Sequence, residues 1–135
     1  MKTTVTWNQK MQFTATDEAG NTTPMDAQPE HGGEGHGPTP KQLVLEGLAG
    51  CTAMDVIAIL NKMRSPPVAL RVEASTEMTE THPKVFTAIH LRYVVKGDVP
   101  VDKLEKAIKM SQDTYCGVSA MLRKAAPITW EYAFE

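Results

Sequence analysis

The sequence predicts an α+β fold in which a mainly antiparallel β-sheet packs against one long, buried central helix. Two observations predict it. The segment from Leu43 to Leu60 is apolar almost throughout, whereas shorter segments on either side alternate apolar and polar residues with the period of two that is typical of strands. A chain of 135 residues has the length of one domain, so a single domain over 1–135 is expected.

Three strands are predicted before the helix. Thr3 to Trp7 and Met11 to Asp17 are rich in Thr, Val, Trp and Phe, and the short segment between them is typical of a hairpin loop. A third strand covers Thr22 to Asp26. Because proline has no N–H to donate, Pro24 confines this strand to an edge of the sheet.

The central helix has a start signal and a stop signal. Thr39 provides an N-cap hydroxyl, Pro40 suits the first helical position, and Gln42 is spaced as a capping-box partner. Pro66 and Pro67 end the helix because proline cannot continue it.

The interior of this helix predicts extensive burial. From Leu43 to Leu60 the only polar side chains are those of Glu46, Thr52 and Asp55, so the helix has no broad solvated face and should be buried nearly all round. A membrane span is disfavoured, because a charged side chain at the bilayer centre costs about 3 kcal/mol or more.

Strand and helix patterns continue after the central helix. Val68 to Ser75 and Val85 to Val95 alternate as the two arms of an antiparallel hairpin. Apolar residues spaced by three and four from Val101 to Leu122 predict two consecutive helical segments, with a bend at Thr114–Gly117. Ile128 to Phe134 alternates again as a terminal strand.

Composition excludes several classes of protein. The formal net charge of -2 and the scattered Lys and Arg residues give no footprint for nucleic acid or for an anionic membrane surface. No cofactor is expected. No apolar secretory segment precedes the first strand, so a cytoplasmic location is expected.

Cys51, in the middle of the central helix, and Cys116, at the predicted bend, are the candidates for chemistry. Two hypotheses stay open at this point. Free cysteines often pack as small hydrophobic residues, but two thiols can also form a redox pair.

Three motifs give the sequence a family resemblance: Gly37-Pro-Thr-Pro-x-x-Leu43, Leu48-Ala-Gly-Cys51-Thr-Ala-Met-Asp55 and Tyr115-Cys116-Gly-Val-Ser119. With the order of elements over the whole chain, they resemble the OsmC/Ohr family, and the continuation Asp55-Val-Ile-Ala-Ile-Leu-Asn-Lys-Met-Arg64 is similar to its OsmC-like branch.

The resemblance implies an intertwined homodimer in which the two central helices pack together and both chains line each thiol site. It also implies an enzyme that reduces organic hydroperoxides. By match, Cys51 attacks the peroxide and becomes a sulfenic acid, Cys116 resolves it as a disulfide, and a dithiol reductant restores both thiols.

The sequence departs from the peroxidase pattern in its charges. The family's peroxidases use an arginine from the N-terminal strands, and this chain has none before Arg64; they carry a glutamate where this chain has Lys41. Supporting roles are considered for Glu46, as a stand-in for that glutamate at the dimer partner, and for Arg123, near Cys116 or a partner site. A solvated helix charge is the favoured hypothesis for Arg123.

Asp55 lies one helical turn after Cys51, near enough to bind a ligand or a sulfenic acid, although its charge should hinder thiolate formation. A polar contact with a neighbouring loop is the favoured role.

The loop residues His31, Glu34 and His36 have the side-chain types of metal ligands, but no metal site is expected on a glycine-rich loop. From the family resemblance, this loop is expected at the mouth of the thiol site as a lid. A hydrolase using Cys51 and a histidine fits the element pattern poorly.

The alternative to the peroxidase is a non-catalytic dimer of the same fold that binds a small apolar ligand or has a structural role. The missing arginine favours it.

Overall fold

The computed structural model describes all residues, 1–135. The chain divides into two compact units, Met1–Val44 and Leu45–Glu135. The single domain over 1–135 stays a prediction.

The first unit contains a three-stranded antiparallel sheet. Its strands are β1 (Thr3–Trp7), β2 (Phe13–Asp17) and β3 (Thr22–Met25), in the order β1-β2-β3. The strand with Pro24 is an edge strand, as predicted. The second strand begins at Phe13 and not at Met11, because the turn that precedes it includes Gln9 and Lys10 in the left-handed conformation.

The loop after β3 is organised around Asp26, whose side chain is buried. This carboxylate accepts backbone hydrogen bonds from Ala27 at 2.8 Å and from Glu34 and His36 at 3.1 Å. Burial raises the pKa of Asp26, but these N–H donors outweigh it and hold the pKa below its ordinary value. The loop is therefore tied down at its glycine-rich end.

The central helix, α1, covers Pro40–Lys62. Its start is as predicted, since Thr39 Oγ1 accepts the N–H of Gln42 at 3.2 Å. At its end Arg64 adopts a left-handed backbone conformation with φ of 53°, and the N–H of Ser65 donates to the carbonyl of Leu60. This is the reversal that commonly ends a helix.

Burial of α1 within one chain is narrower than predicted. Its buried residues recur every three or four positions and form one face: Leu45, Leu48, Thr52, Val56, Ile59 and Leu60. On the opposite side the Met54 side chain is 76% exposed. The expectation of burial nearly all round is therefore wrong for α1, because within the unit Leu45–Glu135 its second apolar face is left uncovered. By length and composition alone α1 could also cross a membrane, but the core helix of a soluble protein passes the same test.

The second unit is built on the sheet β4-β5-β6, with β4 at Ala69–Met78, β5 at Phe86–Lys96 and β6 at Ile128–Phe134. The β4–β5 hairpin is antiparallel, as predicted. The terminal strand β6 is parallel to β5. The chain between them forms α2 (Val101–Met110), a π-helical turn (Ser111–Tyr115) and α3 (Gly117–Leu122), and such a helical crossover is what joins parallel neighbours.

The core of this unit lies between the sheet and the helices. Buried residues from β5, α1 and α2 form one contiguous cluster. On β5 they are Ile89, Leu91, Tyr93 and Val95, which repeat every second residue as the alternation predicted. The fold is α+β with mainly antiparallel sheets and a long central helix.

Candidate functional site

The structure brings the two cysteines together although they are 65 positions apart (51 to 116). The sulfurs of Cys51 and Cys116 and a carboxylate oxygen of Asp55 all lie within 4.8 Å of one another. Cys51 and Asp55 are one turn apart on α1, while Cys116 follows the π-helical turn. Both cysteines are free thiols; Cys51 is half-buried and Cys116 is 3% exposed.

The surroundings of Cys51 favour its protonated form. Burial is the main reason that the pKa of the thiol lies above its ordinary value, because it disfavours the thiolate. A hydrogen bond with Cys116 and the negative charge of Asp55 raise the pKa further, whereas a hydrogen bond from the N–H of Val118 lowers it. The expected hindrance by Asp55 is therefore present.

Cys116 is held by backbone contacts. It is the N-cap residue of α3, and its Sγ accepts the N–H of Ser119 at 3.3 Å. Its own N–H donates to the carbonyl of Ser111 at 2.8 Å and closes the π-helical turn. The predicted bend is thus a widened helical turn, and it places Cys116 next to Cys51 of α1. Ser119 Oγ is a buried oxygen without a hydrogen-bond partner, of a kind often found at functional sites.

A hydrogen-bond chain begins at Asp55. The hydroxyl of Ser111 donates to Asp55 Oδ2 at 3.0 Å, and Ser111 Oγ lies 2.8 Å from Thr52 Oγ1. Thr52 Oγ1 lies 2.6 Å from the phenol oxygen of Tyr93. Asp55 therefore makes the polar contact favoured from the sequence, and its partner is a hydroxyl.

The other end of this hydrogen-bond chain is Arg123. Gln112 Nε2 donates to Thr52 Oγ1 at 3.0 Å and to the Tyr93 oxygen at 3.1 Å. Arg123 donates to the side-chain oxygen of Gln112 at 3.2 Å and to its carbonyl at 3.1 Å. Arg123 is exposed, as the expectation of a solvated charge requires, and its guanidinium is in addition bound to Gln112. Arg123 makes no hydrogen bond with Cys116.

The carboxylate of Asp55 sets the direction of this chain. A carboxylate only accepts, so the Ser111 proton is directed to it, Thr52 donates to Ser111, and Tyr93 donates to Thr52. Burial raises the pKa of Tyr93 and keeps its phenol protonated, although its hydrogen bonds with Thr52 and Gln112 act the other way. From Arg123 to Asp55, each group donates towards the carboxylate.

Several other predicted residues lie outside this cluster. Glu46 is exposed on α1. In the first unit, Glu34 pairs with Lys10, and Gln12 Nε2 lies 2.6 Å from His36 Nδ1. In the second unit, His90 Nδ1 lies 2.8 Å from Thr129 Oγ1.

A cavity of about 310 Å³ borders the thiol cluster through Asp55. Its wall is mostly apolar and includes Ile59, Met63, Met110 and Tyr115, with the amine-bearing side chain of Lys62 also present. It could hold a small organic molecule with Asp55 at one side.

Sequence reasoning missed four members of the site: Thr52, Tyr93, Ser111 and Gln112. Thr52 and Ser111 each interrupt an apolar helical stripe, and Tyr93 stands at an inward position of β5. A polar group at a predicted core position needs a buried hydrogen-bond partner. These polar residues at apolar positions could therefore have predicted a buried hydrogen-bond network.

The fold and the paired thiols define an α+β protein with a dithiol site. The family model described as OsmC-like protein matches residues 32–131. The chain belongs to this OsmC-like family.

Individual relatives agree with this assignment. Protein YhfA of Escherichia coli (strain K12) is 34% identical over 134 residues, which are 98% of this chain and 96% of that protein. The solved structure of a hypothetical protein from Aquifex aeolicus VF5 is 26% identical, has a TM-score of 0.84 and covers 99% of this chain and 96% of its own. The organic hydroperoxide resistance protein OhrB of Bacillus subtilis, 16% identical, shares the fold with a TM-score of 0.71 over 98% of both chains.

We predict that Cys51 is alkylated slowly at neutral pH and that its rate rises to half-maximum at a higher pH than that of free cysteine. The raised pKa keeps the thiolate scarce until the pH passes it. Asp55→Asn removes a negative charge and should move the midpoint to lower pH, whereas Asp102→Asn, on α2, should not. The measurement is iodoacetamide labelling from pH 6 to 11, read by mass spectrometry of the peptide that contains Cys51. A midpoint at or below that of free cysteine would contradict the prediction.

We predict that Tyr93→Phe lowers the free energy of unfolding by about 1–3 kcal/mol, because Thr52 and Gln112 lose a buried partner. Urea unfolding at one fixed protein concentration measures the loss. The matched control is Tyr132→Phe, whose hydroxyl donates to Glu105 at an exposed position; its loss should be smaller. Equal losses of unfolding free energy in the two variants would contradict a special contribution of the buried hydrogen bonds to stability.

Proposed function

We propose that this protein is a thiol-dependent reductase of organic hydroperoxides, with Cys51 as the attacking thiol and Cys116 as the resolving thiol. The observation that carries the proposal is the approach of the two sulfurs, one half-buried and one buried, beside a mostly apolar cavity. Family membership and the fold shared with a hydroperoxide resistance protein support a redox role.

The proposed reaction has three balanced steps. The Cys51 thiolate attacks one peroxide oxygen, the O–O bond breaks, and the alcohol leaves with a proton while Cys51 becomes a sulfenic acid. The Cys116 thiol then attacks that sulfur, water leaves, and a disulfide forms. An external dithiol reduces the disulfide to the two thiols and is itself oxidised. Such a cycle suits the reducing cytoplasm, which is the proposed location.

The decisive experiment measures consumption of cumene hydroperoxide with dihydrolipoamide as the dithiol reductant. We expect turnover in the native protein and none in Cys51→Ser. Cys116→Ser should lose turnover with this reductant but should accumulate a sulfenic acid that dimedone traps on Cys51. The control Met78→Ser changes a sulfur-containing side chain at the far end of β4 and should keep full activity.

The alternative is a non-catalytic protein of the same fold that binds an apolar ligand in this cavity. One observation favours it: burial and the Asp55 charge hold Cys51 in its less reactive form. If the native protein consumes hydroperoxide no faster than Cys51→Ser, and dimedone labels neither, the peroxidase proposal fails and this alternative stands.

We also propose that two copies of the chain form a homodimer through the exposed apolar face of α1. Met54 is 76% exposed and lines an apolar groove of about 400 Å³ together with Val68, which is 77% exposed. An uncharged surface of this kind is typical of an interface. The family resemblance favours a second copy as the partner, with both chains contributing to each thiol site.

We predict that Met54→Asp dissociates this dimer, because it buries an unpaired charge at the interface. Size-exclusion chromatography with light scattering should give twice the chain mass for the native protein and the single chain mass for the variant. Met78→Asp, at an exposed position of β4, is the control and should stay dimeric. A native protein that is monomeric at micromolar concentration would contradict the proposal.

A further inference from the structure

The thiol site also has the composition and geometry of a metal site. Its three potential ligand atoms are the sulfurs of Cys51 and Cys116 and a carboxylate oxygen of Asp55, all within 4.8 Å of one another. Two thiolates and one carboxylate are a ligand set that Zn²⁺ accepts. Around tetrahedral Zn²⁺, with Zn–S bonds of about 2.3 Å and a Zn–O bond of about 2.0 Å, two sulfurs lie about 3.8 Å apart and a sulfur and an oxygen about 3.5 Å apart, so a contraction of about 1.3 Å or less would complete the geometry.

The protein positions these ligands on regular elements. Cys51 and Asp55 stand at i and i+4 of α1, where helical residues project from one face. Cys116 is fixed as the N-cap of α3. Helices hold ligands more rigidly than loops do, which is the feature that the His31–His36 loop was expected to lack.

Outer hydrogen bonds support each ligand. The Ser111 hydroxyl donates to Asp55 Oδ2, and a carboxylate keeps further lone pairs for a metal. The N–H of Ser119 donates to Cys116 Sγ at 3.3 Å, and the N–H of Val118 is directed at the sulfur of Cys51. Contacts of this kind orient ligating side chains and are part of most metal sites.

The site also has an entrance and a charge that needs compensation. The cavity of about 310 Å³ is lined in part by Asp55, so the carboxylate of the ligand set is reached from this cavity. Once a metal displaces the thiol protons, two thiolates and a carboxylate carry three negative charges, and the one arginine of the hydrogen-bond chain, Arg123, is bound to Gln112. A divalent cation supplies the positive charge at the sulfurs.

We propose that the reduced protein binds one Zn²⁺ per chain through Cys51, Cys116 and Asp55. Binding replaces the two thiol protons, which are released to solvent, and it forms two Zn–S bonds and one Zn–O bond. A disulfide, with its S–S bond of about 2.05 Å, uses both sulfurs and excludes the metal. The thiol pair therefore binds zinc only while it is reduced. This inference holds whether or not the thiols reduce hydroperoxides.

The test uses Co²⁺ as a spectroscopic substitute for Zn²⁺ on the reduced, chelator-treated full chain without oxygen. We expect one Co²⁺ per chain, with thiolate-to-cobalt charge-transfer absorption and the visible bands of a tetrahedral site, all displaced by Zn²⁺. Cys51→Ser and Cys116→Ser should each reduce the charge-transfer intensity by about half.

Affinity measurements on variants identify the carboxylate ligand. Asp55→Asn, Cys51→Ser and Cys116→Ser should weaken Zn²⁺ binding by roughly tenfold or more, because even outer hydrogen bonds contribute about 10- to 100-fold. The control Asp113→Asn, an exposed carboxylate of the π-helical turn, should bind as the native protein does.

Three outcomes would overturn the inference. They are no Co²⁺ binding by the reduced protein, binding without a thiolate charge-transfer band, and binding that survives both cysteine substitutions unchanged. None of these readouts depends on hydroperoxide turnover, so failure here and failure of the peroxidase are distinguishable.

Discussion

The hydrogen-bond chain from Arg123 to Asp55 is the constraint on which the thiol site depends. Thr52, Tyr93, Ser111 and Gln112 are buried, and a buried polar group without its partner costs about 1–3 kcal/mol. The hydrogen-bond chain joins α1, β5, the π-helical turn and the C-cap of α3, Arg123, so these elements cannot slide past one another without breaking it. Cys51 adjoins Thr52, and Cys116 closes its turn on Ser111, which keeps the two sulfurs neighbours.

The same hydrogen-bond chain determines which charges lie near the two sulfurs. Its accepting end is a carboxylate one turn from Cys51, and its donating cation lies at the far end on Gln112. The carboxylate of Asp55 thus lies beside the sulfurs, whereas the guanidinium of Arg123 is bound at the other end of the hydrogen-bond chain. In such surroundings the raised pKa of Cys51 favours its thiol over the more reactive thiolate. Reactivity then depends on what enters the site, which is why the hydroperoxide and zinc proposals both concern this one place.

Particular elements show which structural features the sequence patterns predict and which they do not. The Thr39 cap, the β4–β5 hairpin and the alternation on β5 follow from local rules of spacing and sterics, and the structure agrees with them. The parallel direction of β6 could not be predicted from its own residues, because alternation is the same in either direction; it follows from the helical crossover that precedes it. The burial of α1 was overestimated because an apolar face requires a partner but does not say whether that partner is the same chain. The contact of Arg123 with Gln112 was missed because helical spacing does not report a contact with a π-helical turn.

The sequence by itself determined the secondary structure, the family resemblance and the identity of the two thiols, because these depend on residues close together in the chain or on short motifs. Only the tertiary structure decided that Cys51, Cys116 and Asp55 share one site and that four buried polar residues connect it to Arg123. The physical reason is that such contacts join residues tens of positions apart, and the chain reveals them only when the sheet, α1 and the widened turn before α3 come together.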